Sequence, residues 1–278
     1  MSGLKARLSW GIPISIGVIV LLSLDISGVG SGWGVRILTF LFGVCACLEG
    51  VALASDKRRD AVIGVGLFVG LFVAFVSDGA QSLLGWDSIP SYLLMGIPLF
   101  LAPLITELVP EISGRPARRI LHAILVAVWL VLPVLACVAV DSDPLGAHIL
   151  LCALVMVKGS DTGGYIVGRS VGRIPLHPIS PRKTVEGLLG AIGASVLAGA
   201  IYSYALADPG FPVSQACFIG VLVALAGQLT DLQESALKRA AGVKDSGRTI
   251  PGLGGVLDMM DSLILTIPLV FWLRTLWY

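Results

Sequence analysis

The chain has 278 residues, of which 56% are hydrophobic and only 13% are charged, and its mean hydropathy is +0.92. This composition excludes an ordinary water-soluble domain and predicts an all-α integral membrane protein. The net charge of +1 excludes nothing further, because in a membrane protein the position of each charge matters more than the sum.

Nine apolar stretches are candidates for membrane-spanning helices, since a span needs about 20 mostly apolar residues. They lie near residues 8–24, 35–55, 61–77, 91–109, 120–140, 147–167, 187–207, 213–230 and 256–277. We group them into an N-terminal transmembrane region, residues 1–145, and a C-terminal transmembrane region, residues 146–278. The polar motifs described below belong to the second region.

Lysine and arginine are distributed unevenly between the two sides of this arrangement. If the N-terminus is cytoplasmic, sixteen of the nineteen basic residues fall in inside segments and only Arg36 and Arg274 fall outside. Positive charge favours the cytoplasmic side of a membrane. The pattern therefore predicts nine spans with the N-terminus in the cytoplasm, the C-terminus outside, and both polar motifs at the cytoplasmic face.

The first polar motif runs from Ser160 to Gly187 and contains the sequences SDTGG and SPRKTVEG. Its glycines permit close approach of the backbone, and its four basic residues can bind phosphate. An ordinary positive-inside loop would account for the arginines. It would not account for the Asp-Thr-Gly-Gly run or the Ser-Pro-Arg-Lys-Thr-x-Glu-Gly run, so we favour a functional role.

The second polar motif runs from Gly227 to Ser262 and holds five of the eighteen acidic residues. Read as a helix, it places Asp231, Ser235 and Lys238 on one face. A turn-rich linker follows, and Asp258 and Asp261 then begin an apolar helix.

A solvated helix face would explain Asp231 and Glu234, but carboxylates entering an apolar helix usually have a cation or a basic partner. Carboxylate oxygens suit Mg²⁺, while lysine, arginine and free backbone N–H groups suit phosphate. The second motif therefore predicts a site for a metal-bound phosphoryl group.

Two further charges, Glu49 and Lys158, fall inside predicted spans. Intramembrane charges are functional candidates, but each of these could also pair structurally or extend towards the interface. The five cysteines show no metal-binding spacing and fit a packing role.

The two motifs together resemble those of the phosphatidate cytidylyltransferase family, also called the CDP-diacylglycerol synthases. The family's C-terminal signature is matched by Ser235, Lys238, Arg239, Lys244, Asp245, Pro251, Gly252, Gly254, Gly255, Asp258 and Asp261. Its upstream elements are similar to Ser160 to Gly163 and Ser180 to Gly187. The resemblance covers residues 160 to 262, and the first 150 residues match only as spans.

Two positions depart from the signature. A histidine of the family is Leu253 here, and an arginine is Met259. The change at Leu253 removes a partner for phosphate or carboxylate, and the change at Met259 removes a charge beside the site. Every carboxylate and glycine of the signature remains, so we expect the site to tolerate both changes.

The resemblance implies the transfer of a cytidylyl group from CTP to phosphatidate, giving CDP-diacylglycerol and pyrophosphate, with Mg²⁺ as cofactor. It makes residues 146–278 the catalytic region, with its site at the cytoplasmic face. The implied metal ligands are Asp231, Asp258 and Asp261, and the implied catalytic residues are Ser235, Lys238, Arg239, Lys244 and Asp245. The implied substrate-binding residues are Asp161, Thr162, Gly163, Lys183, Thr184, Glu186, Gly254 and Gly255.

Other functions stay open at this stage. They include a related CTP-dependent lipid enzyme, such as an isoprenoid-ether lipid cytidylyltransferase or a polyprenol kinase, an inactive divergent member acting as a scaffold, and a transporter. Transporters more often show internal repeats and sites near the midplane, neither of which the sequence shows. We expect a bacterial inner-membrane protein that binds CTP and a phosphatidate lipid, binds no nucleic acid, and forms a homodimer by analogy with the family.

Overall fold

The computed structural model describes residues 16–18, 20, 21, 23, 24, 33–53, 55, 58–76, 101, 105, 116–141, 145–206, 211–250 and 254–277. Within these residues the backbone forms helices and two isolated β-bridges, and no strand. The predicted all-α fold class is therefore confirmed for the described part of the chain.

The described residues form eight helices. They are α1 (Trp33–Ala52), α2 (Arg58–Val76), α3 (Pro116–Asp141), α4 (Gly146–Val171), α5 (Val185–Leu206), α6 (Val213–Ala240), the short α7 (Val256–Met260) and α8 (Leu263–Trp277). Only a turn at Asp261 and Ser262 separates α7 from α8.

Six of the described helical stretches are long and apolar enough to cross a bilayer. They are Gly34–Ala52, Arg119–Val140, Gly146–Val171, Val185–Ala205, Val213–Ala240 and Val256–Trp277. The protein is therefore a multi-pass integral membrane protein. The predicted span 61–77 corresponds to α2, which is helical but is not among the six, and the predicted spans 8–24 and 91–109 lie largely outside the described residues.

The core of the bundle lies around α3, whose side chains are buried along most of its length. Trp129 and Leu135 are each 1% exposed, and Phe68 of α2 is fully buried. The outer face of α5 is different, because Leu189 and Leu197 are each at least 60% exposed. Exposed apolar side chains on a spanning helix are what contact with lipid requires.

Helices α4 and α5 are packed closely through small residues. Gly163 of α4 lies so near α5 that an added Cβ atom would be 2.5 Å from the carbonyl oxygen of Gly190 and would collide with Ala194. The connection between the two helices is tied down by Glu186, which accepts hydrogen bonds from the backbone N–H groups of Arg173 and Ile174 at 3.0 and 3.3 Å. Close packing of α4 and α5 fixes the first polar motif as one rigid hairpin.

The basic segments after α1, before α3, after α4 and after α6 lie at the same end of the bundle. Specific contacts join the helix ends there: His122 with the carbonyl of Gly50 at 3.1 Å, Arg119 with Asp60 at 3.5 Å, Lys183 with Asp231, and Thr249 with Glu49. This is the arrangement that the charge pattern predicted, since all four segments were assigned to one side of the membrane.

Candidate active site

Three carboxylates, two from α6 and one from the turn between α7 and α8, meet at the basic end of the bundle. Asp231 and Glu234 lie one turn apart on α6, and Asp261 lies in the turn between α7 and α8. One oxygen of each lies within 4.8 Å of the others. We call Asp231, Glu234 and Asp261 the carboxylate cluster.

The chemistry of the carboxylate cluster fits a divalent cation. Glu234 is fully buried, its Oε2 lies beside Nζ of Lys238, and its Oε1 has no hydrogen-bond partner among the described residues. A fully buried carboxylate beside two partly buried ones is costly unless a cation offsets the negative charge. Oxygen ligands from carboxylates are those that Mg²⁺ prefers.

Lys183 connects the two polar motifs. It precedes α5, and its Nζ forms an ion pair with Oδ2 of Asp231 on α6. Both side chains are partly buried, with 18% and 30% of their surface exposed, so the pair is less screened by water than a surface ion pair. The sequence prediction that the two motifs converge is confirmed.

Asp258 is held by the loop between α6 and α7. Its Oδ1 accepts a hydrogen bond from Nζ of Lys238 at 2.7 Å, and its Oδ2 accepts from the backbone N–H groups of Ser246 at 3.0 Å and Gly255 at 2.7 Å. The backbone approaches it closely because Gly254 adopts a φ of +97°, which favours glycine. The role of Asp258 as a metal ligand stays a prediction, since its oxygens are engaged by Lys238 and the loop in this structure.

Lys238 lies between the carboxylate cluster and Asp258. Its ammonium group forms ion pairs with both Glu234 and Asp258, and only 12% of its side chain is exposed. The α6 helix reaches Ala240, so Lys238 is presented from the last turns of a long rigid helix. A largely but not fully buried lysine at this position brings positive charge to the edge of the carboxylate cluster.

A cavity of about 680 Å³ opens beside these groups. Its wall is mostly apolar and comes from α1, α3, α4 and α8, with Leu130 and Ile267 among the lining residues. Four charged side chains also line it: Lys158, Asp161, Asp258 and Asp261. The cavity therefore has apolar walls and a charged region next to the carboxylate cluster, and its volume lies in the range of ordinary ligand sites.

The remaining predicted residues of α4 and α5 have local partners. Asp161 pairs with Lys158 at 3.2 Å, and the hydroxyl of Thr162 donates to the carbonyl of Lys158 at 2.8 Å. The hydroxyl of Thr184 accepts from the N–H of Gly187 at 3.1 Å. Of these residues only Asp161 lines the cavity, and the binding roles of Thr162, Gly163, Thr184 and Glu186 stay predictions.

The predicted residues at the end of α6 lie near the surface. Ser235 is half-buried, and the Arg239 guanidinium donates to the carbonyl of Val243 at 2.8 Å, where it closes the helix end. Lys244 and Asp245 are exposed in the turn that follows. The catalytic roles of these four residues stay predictions, and they surround the site without joining the carboxylate cluster.

Two buried carboxylates at this end of the bundle, Glu234 and Glu49, were not assigned to the site from the sequence. Glu234 was weighed as part of a solvated helix face, yet it is fully buried. Its position three residues after Asp231 was the available signal, because residues at i and i+3 of a helix are neighbours. Glu49 was identified only as an intramembrane charge, and no local pattern links it to a loop about 200 residues later.

Of the two departures from the family signature, Met259 is half-buried on α7 and lines the cavity. Leu253 lies outside the described residues. An apolar side chain at position 259 extends the apolar wall of the cavity next to Asp258.

Comparison with known proteins shows the family to which the chain belongs. The model of the Cytidylyltransferase family matches residues 5–277, which is nearly the whole chain. The chain belongs to the cytidylyltransferase family. The match extends the resemblance from the two polar motifs to the N-terminal helices, which carry Glu49.

Curated relatives of this cytidylyltransferase-family chain are named phosphatidate cytidylyltransferase. The protein from Synechocystis sp. is 43% identical over 132 residues, which is 48% of this chain and 45% of the relative. The Bacillus subtilis protein is 40% identical over 135 residues, 48% of this chain and 50% of the relative. The Staphylococcus haemolyticus protein is 40% identical over 126 residues, which is 45% of this chain and 48% of the relative. Each alignment thus spans about half of the relative.

Proposed function

We propose that the protein transfers a cytidylyl group from CTP to phosphatidate and releases pyrophosphate, as the names of its relatives suggest. The observation that carries the proposal is the carboxylate cluster of Asp231, Glu234 and Asp261, with Lys183 and Lys238 beside it, next to a mostly apolar cavity. A cation site, phosphate-binding lysines and an apolar cavity are the three features that a nucleotide-to-lipid transfer needs.

The reaction is a substitution at phosphorus. A phosphate oxygen of phosphatidate attacks the α-phosphorus of CTP, the new P–O bond forms, and the bond to the β-phosphate breaks with release of pyrophosphate. A phosphate monoester has a second pKa of about 6 and is largely a dianion at neutral pH, so a strong general base is unnecessary. What the site must supply is alignment of two anions and neutralisation of their charge.

The chain's own residues supply these requirements in separate ways. We assign Asp231, Glu234 and Asp261 as the groups that would hold Mg²⁺, with Asp258 as the further predicted ligand. Mg²⁺, when bound, supplies neutralisation of charge on the triphosphate. Lys183 and Lys238 would exchange their carboxylate partners for phosphate oxygens. Arg239 and Lys244, which are exposed at the end of α6 and in the turn that follows, would add positive charge on the aqueous side of the site.

The apolar cavity suits the acyl chains of a lipid substrate. Asp258 and Asp261 are among its charged lining residues, so a lipid seated in it would place its phosphate near the carboxylate cluster. Lys158, with 55% of its side chain exposed, offers a cation at this boundary. CTP would enter from the aqueous side, where Lys244 and Asp245 are exposed.

The proposal includes a membrane arrangement. We infer nine spans, a cytoplasmic N-terminus, an external C-terminus and, since the relatives come from bacteria, residence in the bacterial inner membrane. The gathering of four basic segments at one end of the described helices supports this orientation. A homodimer that binds no nucleic acid remains the expectation from the family.

An acceptor panel tests the proposal. Purified protein in detergent receives labelled CTP and Mg²⁺ together with phosphatidate, an isoprenoid-ether analogue of phosphatidate, or a polyprenol, and labelled lipid and pyrophosphate are measured. We expect labelled lipid and pyrophosphate in equal amounts with phosphatidate. Transfer to the ether analogue alone, or phosphorylation of the polyprenol with release of CDP, would replace the proposal with one of those activities.

A further inference from the structure

Glu49 is a buried carboxylate in the N-terminal half of the chain. It lies on the last turn of α1, and the residue is 8% exposed. Its carboxylate accepts hydrogen bonds from the hydroxyls of Ser246 at 3.3 Å and Thr249, and from the backbone N–H of Leu257 at 2.9 Å. All three donors belong to the connection between α6 and α7 or to the first turn of α7. Glu49 therefore accepts three hydrogen bonds from one short part of the second polar motif.

The glycines of this connection leave space for the Glu49 side chain. An added Cβ atom at Gly247 would lie 2.7 Å from Oε1 of Glu49, and one at Gly255 would collide with Oε2. Side chains at either position would push the carboxylate away from its donors. Glycine at these two positions therefore lets the loop pack closely against the Glu49 carboxylate.

The groups that bind Glu49 are continuous with those that bind Asp258. Ser246 donates its hydroxyl to Glu49 and its backbone N–H to Asp258. Gly255, which contacts Glu49, donates its backbone N–H to Asp258. Asp258 in turn accepts from Lys238. A displacement of Glu49 would therefore change the position of Asp258 and, through it, that of Lys238.

We propose that Glu49 is a positioning residue that fixes the loop between α6 and α7, and through it Asp258 and Lys238, for the transfer reaction. Its effect on turnover rests on the proposed function, but its effect on the loop does not. Glu49 is not among the described residues that line the cavity, and it does not belong to the carboxylate cluster. It acts as a hydrogen-bond acceptor rather than as a metal ligand or a substrate contact.

Two substitutions separate this role from a need for negative charge. In Glu49→Gln the amide oxygen can accept from Leu257 and Ser246, and the amide N–H can donate to the Thr249 hydroxyl. Glu49→Ala leaves all three donors without their acceptor. We expect Glu49→Ala to lower kcat about 100-fold, the scale of a displacement of about 1 Å at reacting groups. Glu49→Gln should stay within about tenfold of the unsubstituted protein, a loss matching about one weakened hydrogen bond.

Double-mutant cycles identify the loop as the route of the effect. We expect Thr249→Val to lower kcat less than Glu49→Ala does, and to cause no further loss when added to Glu49→Ala, because contacting residues are not additive. Asp60→Asn is the matched control: Asp60 is a buried carboxylate on α2 whose partners, Ser55 and Arg119, do not belong to the loop between α6 and α7. Asp60→Asn should lower the melting temperature without changing kcat.

Hydrogen exchange of the Leu257 amide tests the proposal without any activity. In the unsubstituted protein this N–H is bonded to Glu49, and we expect it to exchange at least about tenfold faster in Glu49→Ala but not in Asp60→Asn. Unchanged exchange in Glu49→Ala, or a loss of kcat in Glu49→Gln as large as in Glu49→Ala, would overturn the positioning role. If neither the unsubstituted protein nor any variant turns over CTP, the proposed function fails. The role of Glu49 in the loop stands in that case if the Leu257 amide still exchanges faster in Glu49→Ala.

Discussion

A fully buried carboxylate is costly in a membrane protein unless its charge is offset, and Glu234 has two groups that could offset it. One is Lys238, which lies beside Oε2. The other is a cation, which would bind at the carboxylate cluster, where one oxygen of Glu234 lies within 4.8 Å of an oxygen of Asp231 and of Asp261. Lys238 carries one positive charge and also pairs with Asp258, so it cannot neutralise all three carboxylates of the cluster. A divalent cation would complete the charge balance.

Glu234→Gln tests this charge balance. The amide keeps the shape of the side chain but removes one negative charge and weakens a cation ligand. We expect turnover to fall about 100-fold at millimolar Mg²⁺, and to recover in part when Mg²⁺ is raised, since loss of one ligand weakens cation binding. Turnover is measured across a Mg²⁺ titration. A variant with the normal rate and the normal Mg²⁺ dependence would exclude Glu234 from the metal site.

Asp258→Asn tests the second acidic position. Its carboxylate accepts from Lys238, Ser246 and Gly255, and an amide would turn an N–H towards at least one of these donors. A buried donor left without an acceptor costs about 1–3 kcal/mol, which is enough to displace the loop. We therefore expect loss of turnover with normal insertion into the membrane, measured as yield in the membrane fraction. Normal turnover in Asp258→Asn would exclude Asp258 from the site.

At the scale of single helices, close packing of α4 on α5 explains the glycines of the first motif. From the sequence they indicated close backbone approach, and the structure shows that Gly163 approaches the backbone of α5. The helical character of α4 could be predicted because its apolar run is long. The predicted span 147–167 already includes Asp161 and Thr162, but the continuation of the helix to Val171 could not be predicted, since polar residues at the end of a span give no local stop signal.

Gly163→Ala measures this packing, and Gly193→Ala is its control. An added methyl group at Gly163 would lie 2.5 Å from the carbonyl oxygen of Gly190, whereas one at Gly193 meets nothing within 4 Å. Overpacking of this kind costs about 1–3 kcal/mol. We expect a lower melting temperature in detergent for Gly163→Ala and no decrease for Gly193→Ala. Equal melting temperatures for the two variants would show that the helices do not pack as described.

At the scale of the whole molecule, the distribution of basic residues predicted the sidedness of the loops, because membrane insertion acts on those charges directly. The structure brings the basic segments before α3 and after α1, α4 and α6 to one end. Helix α6 has 28 residues and so is about 42 Å long, enough to join the two faces of a bilayer.

Cysteine labelling tests the orientation. Val243 follows α6 at the basic end and Ser214 lies in its first turn, and both are exposed. With the five native cysteines replaced, Val243→Cys in intact cells should resist a membrane-impermeant maleimide, while Ser214→Cys should react. The reverse pattern would invert the proposed topology. Reaction at both positions would mean that α6 does not cross the membrane.

The composition of the site could be predicted only in part. Asp231, Lys238, Asp258 and Asp261 belong to one motif, so the sequence indicated that they act together. Glu49 could not be linked to them, because about 200 residues separate it from its partners and no local spacing encodes a tertiary contact between an early helix and a late loop. The predicted sidedness and the family resemblance placed Lys183 and Asp231 in one region, and the structure shows their direct pairing.

The most direct test of the central claim measures CDP-diacylglycerol and pyrophosphate from CTP and phosphatidate in purified preparations of the unsubstituted protein and of Asp261→Asn, each with and without Mg²⁺. The account predicts equal amounts of both products from the unsubstituted protein, only when both substrates and Mg²⁺ are present, and almost none from Asp261→Asn. Product formation without a divalent cation, or at the same rate in Asp261→Asn, would contradict the claim that the carboxylate cluster holds the metal for this transfer.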